Sequence, residues 1–244
     1  MLMRRTAGTN AGATPPPHVP EPVAALTARG LAAPGCERRL VLVFALGRSA
    51  LQVSLLSVED WNERVQPGAD PQDGTRSVLA TADDLHLGGD AFDGRLVDYC
   101  LEELMRKSGG DVAAMDWFAR TCLRKQCERA KRSLSVATRA SIDIDSFADG
   151  EFFSCSLSRA LFEDLNMDNF ERCLAAVQTC LLHGGVDKAA IHDVVLLGGS
   201  VRIPKIKSMV QDYFGGREVL TPGDPDAVAA LGAAPPPRGV APPP

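Results

Sequence analysis

The stretch VLVFALGRSALQVSLL at residues 41–56 alternates apolar side chains on both sides of a glycine-containing break. Two strands joined by a tight turn have this pattern, because a strand buries every second side chain and the turn needs a residue free to bend. The turn residues Gly47, Arg48 and Ser49 fit two purposes. Their backbone N–H groups would cradle a phosphate, or the turn is a plain hairpin, and the spacing leaves both open. A second apolar run, DVVLLGG at residues 193–199, reads as a buried strand and is followed by a helix in PKIKSMVQDYF. Strands and helices mix along the chain, so the expected class is α/β.

Such strands need a core. With 244 residues, 45% hydrophobic and 23% charged, the chain is able to bury one. Residues 1–18 and 235–244, rich in Pro, Ala and Gly, are expected to be disordered tails because they bury too little to offset the entropy of ordering. Between them EPVAALTARGL reads as a short helix, and QPGADPQDGT as a turn-rich connection after the hairpin. After Gly88 and Gly89 a helix is predicted with Phe92, Leu96, Val97, Leu101 and Leu104 on one face. A second long helix is predicted over residues 116–136, then a strand pair in ASIDIDSF and EFFSCSL turning at Asp149 and Gly150. SRALFEDL follows as a short helix capped by Ser158. A helix over residues 168–183 should present Phe170, Leu174, Val177 and Leu181 to the core, and an Ala-rich helix should begin near Pro225.

The balance of 26 basic against 31 acidic residues, with no Lys/Arg block, argues against a nucleic-acid partner. No run is long and apolar enough for a membrane span or a secretory signal, so a cytoplasmic protein is expected. An organelle stroma or matrix is the alternative, because no acid precedes Glu21 while Arg4 and Arg5 do. The seven cysteines show no zinc spacing and are expected to be reduced core residues. A Cys122–Cys127 redox pair is the sharper alternative, although residues five apart on a helix do not face each other.

Two further places carry chemistry. In CERAKRSLS, Glu128, Lys131, Arg132 and Ser135 share one helix face. A solvated face with a Glu-to-Arg pair accounts for them. So does a nucleoside shelf, with a carboxylate for ribose hydroxyls, a guanidinium against a flat base and a hydroxyl for a ring nitrogen. In DVVLLGGSVRIPKI, Gly198, Gly199 and Ser200 lead from the strand into a helix near residues 202–204. This either aims N–H groups at an anion or is a turn that needs glycine.

Taken in order, EPVAALTARGL, HLGGDAFDGRLV, CERAKRSLS, ASIDIDS, FEDLN, IHDVVLLGGSVRIPKI and DPDAVAALGAA resemble the DnaK-type chaperones, the seventy-kilodalton heat-shock family. The likeness covers residues 19–234. It implies an actin-like ATPase (ribonuclease H-like) fold, here the second lobe only, with an α/β outer subdomain. By position, Glu128, Lys131, Arg132 and Ser135 match the family's adenosine-binding helix. Gly198, Gly199, Ser200 and Arg202 match its second adenosine-side loop, Asp226 and Gly89 its cleft, and Glu21 a catalytic-site glutamate.

The resemblance also gives the opening turn a meaning. Where the family reads Asp-Leu-Gly-Gly-Gly-Thr-Phe-Asp, this chain has Ala45, Leu46, Gly47, Arg48, Ser49, Ala50, Leu51 and Gln52. Both carboxylates that serve the metal-bound water are replaced, together with two phosphate-holding glycines and the threonine. The expectation is weak ATP or ADP binding, no secure Mg2+ site, and little or no hydrolysis, the more so with the first lobe missing. Nucleotide-exchange co-chaperones, which grip the outer part of this lobe in the family, are the partners implied, making a non-catalytic interaction module or decoy the alternative. A peptide substrate is not expected, because no peptide-binding domain follows.

Overall fold

The computed structural model describes residues 38–58, 76–108, 117–144 and 152–221. Both tails, EPVAALTARGL, QPGADPQDGT, the Asp149 and Gly150 turn and the helix near Pro225 lie outside those residues. In chain order, β1 (Arg39–Leu46), β2 (Leu51–Val58) and β3 (Arg76–Asp84) lead to α1 (Gly89–Ser108) and α2 (Trp117–Leu134). Then come β4 (Arg139–Ile144), β5 (Phe153–Ser158), α3 (Arg159–Leu165), α4 (Met167–Gly184), β6 (Asp193–Leu197) and α5 (Pro204–Tyr213).

The hairpin forms as its alternation predicts, with Leu46 opposite Leu51 across the turn. On the other side of β1, β6 runs parallel, and the sheet order is β3-β2-β1-β6. Leu42, Phe44, Val53, Leu55, Val194 and Leu196 point into the main core, while Val41, Val43, Leu56, Val58, Val195 and Leu197 form a second cluster on the opposite face. Burial on both faces is why β1 and β6 read as nearly unbroken apolar runs.

The strand β3 is a correction to the sequence reading, which has no strand between the hairpin and Gly88. Its sequence RSVLATADD lacks large apolar residues at every second position, and Ser77, Val78 and Leu79 are exposed. Nothing local specifies it. The ladder to β2, from Arg76 opposite Val58 to Asp84 opposite Leu51, holds it as an edge strand.

The helix α4 lies across β2 and β3. Its buried stripe is Phe170, Cys173, Val177, Cys180 and Leu181, so Leu174, assigned to the core from spacing, sits half-buried at the margin. Thiols occupy the line nearest the sheet, where Cys180 Sγ lies 3.6 Å from the carbonyl oxygens of Val53 and Ala80. Burial pushes the Cys173 thiol up to about 12 and that of Cys180 up to about 11. All six described cysteines are free, and Cys127 is buried while Cys122 is not, so the pair alternative gives way to reduced packing residues.

The two-stranded β4-β5 ladder packs with α1 and α2 as an outer α/β layer. Phe92 of α1 meets Phe170 of α4 at 5.2 Å between ring centroids and Phe162 of α3 at 6.3 Å, joining that layer to the helices under the sheet. Ser158 caps α3 as expected, its Oγ accepting from the Leu161 N–H at 3.1 Å. No described helix is long and apolar enough to cross a membrane.

Phe92 is fully buried at the centre of the trio. Phe92→Ala should therefore lower stability by about 3 to 5 kcal/mol in urea unfolding, and a loss below about 1 kcal/mol would show that the trio does not join the layers.

Candidate functional site

Because β1 and β6 are parallel neighbours, their carboxyl ends lie side by side, and such ends border the ligand crevice of open α/β sheets. Gly47 follows β1 and Gly198 follows β6. Gly198 has φ of 85°, and a Cβ there would fall 2.3 Å from the Leu46 carbonyl oxygen. A third loop arrives from the start of α1, where a Cβ on Gly88 would fall 2.5 Å from the Arg48 carbonyl oxygen. Only glycine allows backbones to meet this closely.

Hydrogen bonds hold the junction. The Gly47 N–H donates to the Ala50 carbonyl at 2.9 Å, closing the turn. The Gly47 carbonyl accepts from the Gly89 N–H at 3.0 Å and from Ser200 Oγ at 2.8 Å. The Arg48 carbonyl accepts from the Asp90 N–H at 2.8 Å, and Arg48 Nε faces the two Asp90 carboxylate oxygens at 3.2 and 3.3 Å.

Over this junction opens a cleft of about 800 Å³. Gly47, Arg48, Gly89, Glu128, Lys131, Arg132, Ser135, Gly198, Gly199, Ser200 and Arg202 all line it, so the candidates from four separate stretches share one cleft. Glu21 and Asp226 lie outside the described residues. Asp90, Asp93, Val136 and Ile203 also line the cleft and were not singled out from sequence.

Two expectations change. Lys131 is not an open shelf contact: it is buried, and its Nζ donates to Asp93 Oδ2 at 2.8 Å and to the Gly89 carbonyl at 2.9 Å. Its charge is spent on joining α2 to α1. The strand of residues 193–197 does lead to a helix starting at Pro204, as expected, but through a 3-10 turn at Gly199–Arg202. Within it the Val201 N–H donates to the Gly198 carbonyl at 3.3 Å and that of Ile203 to Ser200 at 3.2 Å, so those donors do not face the cleft unpaired.

The rest of the α2 face is more open. Glu128 and Arg132 pair at 2.6 Å with the guanidinium mostly exposed, and Ser135 Oγ donates back to the Lys131 carbonyl at 3.3 Å. Asp93, on α1, is the buried acid of the cleft. Burial pushes its carboxyl above the usual carboxylate range, against the pull of Lys131, and its Oδ1 has no hydrogen-bond partner. The signal for it was its place beside Phe92 in the core-facing part of α1.

A mixed sheet ordered β3-β2-β1-β6, a cleft at the carboxyl ends of β1 and β6 and an outer α/β layer over that cleft define one lobe of an actin-like ATPase fold. The chain belongs to the Hsp70 family, whose model, described as Hsp70 protein, matches residues 4–236. It is 44% identical over 215 residues to a heat shock protein of Pyricularia oryzae, covering 88% of this chain and 33% of that protein. To the Heat shock cognate 70 kDa protein 3 of Dictyostelium discoideum it is 42% identical, covering 88% of this chain and 32% of the relative. The Heat shock 70 kDa protein BIP3 of Oryza sativa is 39% identical over 94% of this chain and 32% of its own length. The chain thus spans about a third of the length of the curated relatives it matches.

Removing one partner of the buried pair leaves the other uncompensated. Lys131→Met should lower stability by about 3 to 5 kcal/mol at neutral pH, and adding Asp93→Asn should recover part of it, with a coupling of at least about 1 kcal/mol in the double-mutant cycle. Without Lys131 the folded carboxyl rises further above its unfolded value, so the folded state holds the extra proton. The Lys131→Met deficit should therefore be smaller in acid and grow as pH rises from the ordinary carboxylate range, read from urea melts across pH.

Proposed function

We propose that this protein is a heat-shock-70-family nucleotide-cleft lobe that retains an adenosine-binding wall, binds nucleotide weakly and hydrolyses ATP little or not at all. The convergence of eleven candidates from the β1-β2 turn, α1, α2 and the loop after β6 on one cleft carries the reading. The volume suits a small organic ligand of nucleotide size. Arg132 supplies a flat exposed guanidinium for a base, and Glu128 beside it an acceptor for hydroxyls.

The residues present do not fit the divalent metal that the family resemblance implies. Ala45 and Gln52 stand opposite each other at the ends of β1 and β2, where the family has carboxylates. Neither a methyl group nor a neutral amide holds Mg2+ securely or takes a proton from water at neutral pH. Among the described residues, no group of three or more His, Cys, Asp or Glu is placed to hold a metal ion. We take the cytoplasm as its place of action, with an organelle stroma or matrix as the alternative.

A second reading, an interaction module that meets nucleotide-exchange co-chaperones through the outer layer, is favoured by two aromatic residues at the start of α2. Trp117 is 78% exposed and Phe118 67%. If those rings form the contact, W117A/F118A abolishes binding to a purified exchange co-chaperone and leaves adenosine binding unchanged.

Titration calorimetry with adenosine tests the first reading. Dissociation constants on the order of 0.1 to 1 mM are expected, with Arg132→Ala about 3- to 30-fold weaker and ATP turnover at the buffer rate. Folded protein that shows no heat with adenosine at several times that concentration would remove the nucleoside reading.

A further inference from the structure

We infer that Arg48 is the anion receptor of this cleft and that it takes a nucleotide's phosphates as the metal-free anion, the guanidinium standing where a bound cation would otherwise supply charge. The inference rests on the nucleotide reading of the cleft and adds to it the form of the ligand and the residue that selects it.

Placement comes first. Arg48 sits on the turn at the carboxyl end of β1 and lines the cleft. The backbone beneath it is held from three sides, by the Asp90 N–H on its own carbonyl and by the Gly89 N–H and Ser200 Oγ on the carbonyl before it. The side chain therefore starts from a fixed point. It is 79% exposed, and Asp90 contacts it through Nε alone. Its two terminal nitrogens have no partner among the described residues. Asp90 thus orients the planar fork from one side and leaves the other edge for a bidentate contact with phosphate oxygens.

The chemistry of the neighbours points the same way. A second cation beside the turn, Lys131, is already taken by Asp93 and the Gly89 carbonyl. Ala45 and Gln52 offer no carboxylate to carry a metal to the phosphates. A nucleotide complexed with Mg2+ has surrendered negative charge and two oxygens to the metal, so it offers Arg48 less than the free anion does. Asp90, an acid at the mouth of the same site, opposes the approaching phosphate in part. Losing its charge should tighten binding rather than weaken it.

Calorimetry on the full chain with adenosine, ADP and inorganic pyrophosphate, each in chelator and in excess Mg2+, tests this, with Arg48→Ala, Arg48→Lys and Asp90→Asn beside the parent. In chelator, ADP is expected to bind about tenfold or more tightly than adenosine, and Mg2+ to weaken ADP about threefold or more. Arg48→Ala should bring ADP to the level of adenosine without changing adenosine or the thermal transition. Arg48→Lys should keep part of the preference, and Asp90→Asn should increase it. Tighter ADP binding in Mg2+ than in chelator, or an ADP preference untouched by Arg48→Ala, overturns the inference. Adenosine binding with no preference for ADP ends the inference and leaves the nucleoside reading. Arg48-dependent pyrophosphate binding without adenosine binding does the reverse, and silence with all three ligands ends both.

Discussion

Backbone contact between three distant loops is the constraint on which the site depends. Gly88 and Gly198 bring their chains against the Arg48 and Leu46 carbonyls at separations where a side chain has no room. That contact follows from the sheet, since parallel β1 and β6 end side by side and α1 begins where the edge strand β3 returns. The Lys131–Asp93 pair then ties α2 to α1 above the junction, and through the Gly89 carbonyl to the same backbone. The walls of the cleft are set by backbone carbonyls and one buried charge pair. A large side chain at position 48 is tolerated because it leaves the junction for the open cleft, where most of it stays exposed. The same substitution at 88 or 198 would push the loops apart.

The parts legible in the sequence were those whose signal is local. The hairpin announced itself by alternation, Ser158 by its chemistry as a cap, and β6 by burial on both faces. The cleft residues were found because four polar groups at helical spacing and a glycine pair after a strand are unusual in themselves. The strand β3 was invisible because its stability comes from the β2 ladder and not from its own residues. Leu174 was misassigned because any stripe at helical spacing has neighbours on its margins, and which line is central depends on what packs beneath it. The role of Lys131 could not be read either. A lysine facing a ligand and a lysine facing a buried aspartate share the same place in a helical pattern, and the partner lies 38 residues away.

Recognition and chemistry lie on different elements of this fold, and they therefore separate. In the proposed reading the adenosine-side wall is made by α2 and the loop after β6, elements other than those that carry residues 45, 48, 50 and 52. Attack of water on a phosphate needs a group that takes a proton or a cation that steadies charge, and the family resemblance puts those at the ends of β1 and β2. There the chain offers a methyl group at Ala45 and an amide at Gln52 across the ladder from it. A guanidinium at 48 restores positive charge but, having only donors and no acceptor, cannot act as the base. Gain of charge without gain of a proton acceptor favours holding a phosphate over cleaving one, and it does so without disturbing the three-loop contact that shapes the cleft.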